Sequence, residues 1–406
     1  MLKYFFPREH KRYSSLPVLG SILNKFAKFI HKSGYKYNTV RLRLRAASVI
    51  DNQLKQLGCH SIKKITRTKL LACALVPRYA KNHVYAATIK LLESFFDKQK
   101  ILSPAGPPSS QLEQEISDYC CYLQKTRGLT SATIQSHSNT ILQFLIYLKG
   151  IHKFTNLQKL NPKDIEKFVR GIGPKIGRDT LQHKIGHLRS FLRFLLINNE
   201  ISIRLDNQID TPRIYREEKL PRSLPWDIVK ALLQFIDRST PMGKRDYAIL
   251  LLIATYGLRA SEVVSLKLDD INWRSNSLQI SQHKNSSTIL LPLTKDVGKS
   301  IINYLRKGRP SVCYREIFVR HKVPNGILQR TAINDIFQNW SKHSCLPIPF
   351  KGTHCLRHSY AIHLLRQGTS LKTIGDILGH RSFESTCVYL RLNIEDLRAV
   401  PLSLPN

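Results

Sequence analysis

Tyr389 closes an ordered series of side chains able to hold, protonate and attack a phosphodiester: Arg259, Lys284, His354, Arg357 and His380 precede it. They stand in Gly257-Leu258-Arg259-Ala260-Ser261-Glu262, Gln282-His283-Lys284-Asn285, His354-Cys355-Leu356-Arg357-His358, Leu378-Gly379-His380 and Thr386-Cys387-Val388-Tyr389. Arginine stays charged at any working pH, and its planar fork makes paired hydrogen bonds to nonbridging oxygens. Arg259 and Arg357 therefore suit a pentacoordinate phosphorus transition state. His354 and Arg357 fall one helical turn apart, on a shared face. A phenol, with an unperturbed pKa of about 10, needs cationic neighbours and a proton acceptor before it attacks. The arginines supply the first, and His354 or His380 the second. Lys284 suits protonation of the departing sugar oxygen. Singly, each residue has a plainer use as an ion-paired arginine, a packed tyrosine or a solvated lysine. As an ordered set they predict phosphoryl transfer without a metal, and with it breakage and rejoining of DNA.

A metal site competes for the same histidines. His354, His358, His363 and His380, with Cys355 nearby, offer enough donors for zinc, but they lack the His-Glu-x-x-His order and an accompanying acidic cluster. A magnesium-dependent nuclease needs several carboxylates, where this region has the isolated Glu262, Asp269 and Asp270. No metal and no cofactor is expected.

The elements that must position these groups are mostly helical. Helices are predicted over 226–236, 244–256, 258–266, 301–306, 330–343, 353–367 and 371–378, with strands over 278–281 and 288–291 flanking a polar turn that carries Lys284. Proline-rich breaks at 103–110 and 211–221 mark boundaries. The two segments before the second break read as copies of one design of about four helices each. A shift of about 94 residues superposes Ile22, Phe26, Phe29, Gly34, Thr39 and Val40 on Ile116, Cys120, Leu123, Gly128, Thr133 and Ile134. Asn38 and Ser131 are the expected N-caps of basic helices over 39–54 and 132–148.

Composition names the partner. With 64 Lys and Arg against 28 Asp and Glu, the net charge of +36 on 406 residues points to a polyanion, nucleic acid first. The longest apolar run, 248–256, is too short to span a bilayer, and no secretory signal is evident, so a cytoplasmic, nucleoid-associated protein is expected. The eight scattered cysteines read as reduced thiols, mostly buried. Arg41, Arg43 and Arg45 in the first copy, and Lys184, Arg189 and Arg193 in the second, are the candidate phosphate contacts; a solvated helix face is the alternative use.

The order of these boxes over residues 220–397 resembles the tyrosine recombinases, also called the phage integrase family. The resemblance implies a mainly α protein, with helical N-terminal DNA-binding domains and a mostly helical catalytic domain holding a small β-sheet. It implies that Arg259 and Arg357 are the catalytic arginines, Lys284 the β-hairpin lysine, His354 and His380 the two histidines and Tyr389 the nucleophile, with Glu262 supporting the site. The glycine-flanked lysine common in relatives is absent around Lys284, while Lys295 and Lys299 lie past the second strand. The implied organisation is an extra N-terminal helical module (1–103), a linker (104–110), a core-binding domain (111–210), a linker (211–221), a catalytic domain (222–397) and a tail (398–406). The expected reaction is site-specific cutting and rejoining through a 3′-phosphotyrosyl link, for integration, excision or transposition. The expected partners are double-stranded DNA with specific sites, a homo-tetramer on two sites and sister recombinases. A type IB topoisomerase, or a relative that binds DNA without cutting it, shares most of these features.

Overall fold

The computed structural model describes residues 1–74, 83–102, 111–152, 157–213, 221–282, 287–380 and 382–390. The chain forms two compact units, the first comprising Met1–Phe29 and Tyr37–Glu218 and the second Ile30–Lys36 and Lys219–Asn406.

The first part of the chain is helical throughout: α1 (Leu2–Phe5), α2 (His10–Ser14), α3 (Gly20–Lys32), α4 (Tyr37–Gln56), α5 (Arg67–Ala74), α6 (His83–Lys98), α7 (Gln111–Lys125), α8 (Ser131–His152), α9 (Pro162–Ile172) and α10 (Arg178–Ile197). From α3 onward the order runs twice. Tyr37 and Ser131, Arg67 and Pro162, His83 and Arg178 open paired helices 94 or 95 residues apart. Gly34 and Gly128 turn the chain at φ +85° and +59°, values only glycine adopts without strain, which is why the pair is legible in the sequence. The buried faces match too. Ala47, Ile50 and Leu54 of α4 have counterparts in Ile141, Phe144 and Leu148 of α8, and Ile89, Leu92 and Phe95 of α6 in Ile185, Leu188 and Phe191 of α10. In the first helix of each copy the pairing shifts by one residue from the sequence superposition. Phe26 and Ile30 face inward as Tyr119 and Leu123 do, while Cys120 is half-buried, because only the inward stripe has to match a core.

Two expectations are corrected here. Asn38 is not a cap, since α4 has already begun at Tyr37, whose ring packs on Phe5 and Tyr4. Ser131 is likewise the first helical residue rather than the cap, with Thr130 accepting the Ile134 amide. The cysteines are all free, but Cys59, Cys73 and Cys355 alone are buried; Cys120 and Cys387 are intermediate, and Cys121, Cys313 and Cys345 exposed.

The second unit is built on α12 (Pro241–Tyr256), after α11 (Trp226–Phe235). Thr240 caps α12 by accepting the Gly243 amide, and Pro241 occupies the first turn, where its missing N–H costs nothing. Ala248, Ile249, Leu250, Leu252, Ile253 and Ala254 are all buried, so α12 is a core helix rather than an amphipathic one. After α13 (Ala260–Ser265) the chain forms an antiparallel sheet of β1 (Ile271–Asn272), β2 (Ser277–Gln282) and β3 (Ser287–Pro292), with Ile280 opposite Ile289. It continues through α14 (Lys295–Lys307), a small β4 (Val319–Arg320) and β5 (Gly326–Ile327) pair, α15 (Arg330–His343), α16 (His354–Arg366), α17 (Leu371–Leu378) and α18 (Glu384–Cys387). The α14 helix starts earlier, and the α13 helix later, than periodicity predicts. The architecture is the expected mainly helical one with a small sheet. Among the described residues no helix is long and apolar enough to cross a membrane.

Candidate active site

Two glycine turns place the first charged groups. Gly257 ends α12 at φ +64° and Gly379 ends α17 at φ +60°, each in the left-handed conformation that closes a helix. The Arg357 guanidinium sits between them, donating Nη1 to the Gly257 carbonyl at 2.6 Å and Nη2 to the Leu378 carbonyl. Neither glycine tolerates a side chain. A Cβ at Gly257 would lie 2.6 Å from Leu378 Cδ2 and 2.7 Å from Tyr360 Cδ1, and one at Gly379 would overlap the buried amide of Gln282 at 2.0 Å. We expect Gly379→Ala to destabilise the chain by about 2–3 kcal/mol through strain and overlap, read as a lowered denaturant midpoint. An unchanged midpoint would mean that the turn relaxes freely.

Arg259 stands just ahead of α13. Glu262 accepts its backbone amide at 2.8 Å and its Nη1 at 2.7 Å, while its Nη2 reaches the Gly379 carbonyl at 3.1 Å. The Glu262 carboxylate is buried and the Arg259 side chain is 22% exposed, so the pair holds one guanidinium at the edge of the site. Arg357, 3% exposed, has its pKa lowered to about 10 by burial first and by Arg259 second; it stays charged near neutrality.

The histidines come from α16 and the α17 turn. Thr353, just ahead of α16, donates its amide and hydroxyl to Asn334 Oδ1 at 3.1 and 3.0 Å, fixing the helix start. His354 then lies exposed at the first position, its ring 4.5 Å from that of His358. His380 shares a 2.8 Å hydrogen bond with Thr386 through Nδ1, and its ring lies 6.2 Å from the Tyr389 ring, nearly parallel. Burial, then Arg357, Arg259 and His354, depress its pKa to about 4.

Tyr389 is 1% exposed and packs with Ala361, Ile362, Ile374 and Leu378. Its hydroxyl lies 3.1 Å from His358 Nδ1. Burial raises the phenol pKa, and Arg357 and Arg259 pull it back down. The pKa of His358 is lowered to about 3 by burial, then by His354, Arg357 and His380, so the imidazole is neutral at physiological pH. Sequence reasoning did not assign His358 to the tyrosine, although its place one turn after His354 put it on the same face. Thr386 was likewise missed.

Five of the six catalytic candidates, together with Glu262, thus converge on one locus; Lys284 lies outside the described residues. Among the metal candidates, His363 is turned away and stacks on Trp226 at 4.1 Å. The six candidate DNA contacts have intramolecular engagements. Arg43 donates to the Val84 carbonyl and to Thr88, Lys184 to Gln143 at 2.6 Å, Arg189 to the Ile209 carbonyl and Arg193 to Asp206 at 2.7 Å. Arg41 and Arg45 instead lie over the Phe6 ring.

Buried and edge arginines thus meet histidines and a tyrosine on a helical scaffold, a set of groups suited to phosphodiester chemistry. The phage integrase family description matches residues 222–396, and that of the phage integrase N-terminal SAM-like domain matches residues 116–199. A Sinorhizobium fredii chain described as an integrase/recombinase, y4rA, is 34% identical over 73% of this chain and 72% of its own length. Tyrosine recombinase XerD of Listeria monocytogenes is 31% identical over 70% of this chain and 96% of its own. Among solved structures, XerH site-specific recombinase bound to palindromic difH substrate superposes with TM-score 0.56 at 18% identity, covering 84% of this chain and 94% of that one. A lambda integrase tetramer bound to a Holliday junction gives TM-score 0.53 at 17% identity, covering 76% and 88%. The chain belongs to the tyrosine recombinase, or phage integrase, family. It is a tyrosine-type site-specific DNA recombinase.

Proposed function

We propose that Tyr389 is the nucleophile, that Arg259 and Arg357 bind the scissile phosphate, and that Glu262 positions Arg259. The observation that carries this is the convergence of Arg259, Arg357, His354, His358 and His380 around a single phenol. Tyr389 Oη attacks the phosphorus and the bond to the 5′ oxygen breaks, leaving a 3′-phosphotyrosyl link and a free 5′-hydroxyl. Attack by the 5′-hydroxyl of a partner strand reverses the step. One phosphoester replaces another, so the bond energy is retained. Both arginines present donors to an oxyanion whose charge grows in the transition state, which is where preorganised donors lower a barrier most.

The phenol proton has its nearest acceptor in His358. With its own proton on Nε2, His358 accepts from Tyr389 Oη at Nδ1. Its depressed pKa keeps that nitrogen unprotonated in the free protein, and a bound phosphate, by neutralising the adjacent arginines, raises its basicity as attack begins. His354 and His380 donate to the phosphate oxygens, and Lys284 protonates the departing 5′ oxygen. Because Tyr389 is buried beside His358 in the free protein, engagement with DNA must open the pocket so that the scissile phosphate reaches the phenol.

His358→Asn keeps a hydrogen-bonding atom near the Nδ1 position but cannot accept the proton. We expect cleavage to slow by about 100-fold, within the range for general bases, with DNA affinity unchanged. Single-turnover cleavage of a nicked duplex measures this, and an unchanged rate would return the acceptor role to His354 or His380.

The ligand is double-stranded DNA carrying two recombination sites, and the working assembly is a homo-tetramer, in which a sister recombinase can replace some subunits. The tail beyond residue 390 lies outside the described residues; its Leu392, Ile394, Leu397 and Val400 suit docking into a neighbouring protomer. The lambda integrase tetramer on a Holliday junction supports that assembly. The test is covalent trapping on duplexes selected from a randomised pool and nicked beside the cleaved position. A protein–DNA adduct is expected, and its absence would overturn the proposal.

A further inference from the structure

We propose that Thr386 is a positioning residue for strand cleavage: its hydroxyl orients the His380 ring and selects the nitrogen that carries the proton, while its main chain anchors Tyr389. This rests on the reading of His380 as a phosphate donor and of Tyr389 as the nucleophile, and it gives a task to a residue that is itself fully buried.

The turn that carries His380 is held at its backbone by three groups. Arg357 Nη2 donates to the Leu378 carbonyl, Arg259 Nη2 to the Gly379 carbonyl at 3.1 Å, and the His380 amide to the Gly375 carbonyl at 2.9 Å. None of these contacts sets the rotation of the imidazole about its own bonds. Thr386 does, because its Oγ1 lies 2.8 Å from His380 Nδ1. The hydroxyl is enclosed. Thr386 is 0% exposed, and a Cβ added at Gly375 would stand 3.0 Å from Oγ1, so α17 leaves at Gly375 the room that the hydroxyl occupies. A β-branched side chain is stiff at χ1, and a buried hydroxyl is costly to leave unpaired, so the bond to the ring is both directed and favoured. The main chain of the same residue faces the nucleophile. The Thr386 amide donates to the Phe383 carbonyl at 2.8 Å, and its carbonyl accepts the Tyr389 amide at 3.0 Å. One residue therefore joins His380 through its side chain to Tyr389 through its backbone, and the two rings lie 6.2 Å apart at 20°.

The proton follows from the same bond. A neutral imidazole carries one N–H, whose place is set by the hydrogen bond that the other nitrogen makes. His380 is neutral near physiological pH, because burial first, and the neighbouring cations second, lower its pKa to about 4. A hydroxyl that donates to Nδ1 leaves the proton on Nε2, which then donates to a phosphate oxygen. With the proton on Nδ1, Nε2 would turn a lone pair toward the anion. A carboxylate in the place of Thr386 would also orient the ring, but its charge would offset that of Arg259 and Arg357 at the phosphate.

Single-turnover cleavage of a nicked duplex by saturating full-length protein tests this with Thr386→Val, Thr386→Ser, His380→Ala and the double variant. Valine keeps the shape of threonine without the hydroxyl, so cleavage should slow by about 10-fold with duplex affinity unchanged, while serine, which keeps the hydroxyl, stays within about threefold of wild type. In His380→Ala there is no ring left to orient, so adding Thr386→Val should slow cleavage no further. A residue that only filled space would cost the same in both backgrounds. Should Thr386→Val fold poorly, Thr386→Ala takes its place in the same cycle. An unslowed Thr386→Val beside a slowed His380→Ala, a serine variant as slow as the valine one, or full additivity in the double variant would overturn this inference alone. Unimpaired cleavage by His380→Ala would overturn the donor role of His380 and this inference with it.

Discussion

Tyr389→Phe is expected to abolish covalent capture of DNA while leaving DNA binding and folding intact. The substitution deletes one oxygen. That atom's single described partner is His358 Nδ1, so the loss leaves one neutral imidazole nitrogen without its hydrogen bond. The ring keeps its contacts with Ala361, Ile362, Ile374 and Leu378. A buried phenol-to-imidazole hydrogen bond contributes about 1 kcal/mol, so the melting temperature moves by a few degrees at most. The chemical effect is of another order: without Oη there is no bond to phosphorus, and the adduct disappears rather than slowing. Incubating wild type and variant with a nicked duplex and resolving the products by denaturing electrophoresis checks this. An adduct that survives the substitution would place the nucleophile elsewhere, and Tyr360, on α16 and close to Gly257, would be the next residue to test.

The second large effect is at Arg357. Its two terminal guanidinium nitrogens already hold the Gly257 and Leu378 carbonyls, so one side chain joins the ends of α12 and α17. Arg357→Ala removes charge from the transition state and leaves two carbonyls unsatisfied. Cleavage should fall by about 10³- to 10⁵-fold, as expected when an arginine that stabilises phosphoryl transfer is lost. It should also lower stability by several kcal/mol in order of magnitude, through the same unpaired buried groups. Arg357→Lys separates the two roles. A lysine keeps the charge and reaches one carbonyl but cannot span both, so stability recovers in part while cleavage stays at least about 100-fold down. Single-turnover rates and denaturant midpoints for the two variants are the measurements. Recovery of full cleavage in Arg357→Lys would reduce the residue to a point charge.

How much of this was legible in the sequence depended on whether a signal was local. Arg259, His354, Arg357, His380 and Tyr389 could be read because the order of their boxes carries information that no single residue does. The α17 helix could be read to the residue because Ser370 and the glycine after Leu378 are local start and stop signals. His358 was weighed only as a metal donor, not as the partner of the tyrosine. Its partner lies 31 residues away, and only the return of the chain from α17 brings the phenol to it. The same holds for Arg193 and Asp206, or Arg43 and the Val84 carbonyl. Composition marks such arginines as basic but cannot show that a carboxylate or carbonyl already occupies them. Asn38 looked like a cap because its type suits one, yet the packing of Tyr37 on Phe5 started the helix earlier. Cysteine burial was misjudged for a similar reason, since the helix face, not the residue type, decides it. The internal duplication was visible through its turn glycines and apolar spacing, and only the burial pattern corrected its register in the first helix.

The central claim is that these groups converge so that Tyr389 alone becomes joined to DNA. The most direct test is to trap the adduct on a nicked duplex, digest protein and DNA, and sequence the modified peptide by mass spectrometry. A nucleotide linked through a 3′-phosphate to Tyr389, with a free 5′-hydroxyl on the released strand, is the predicted result. A nucleotide on any other residue, or a 5′-phosphate linkage, would contradict it.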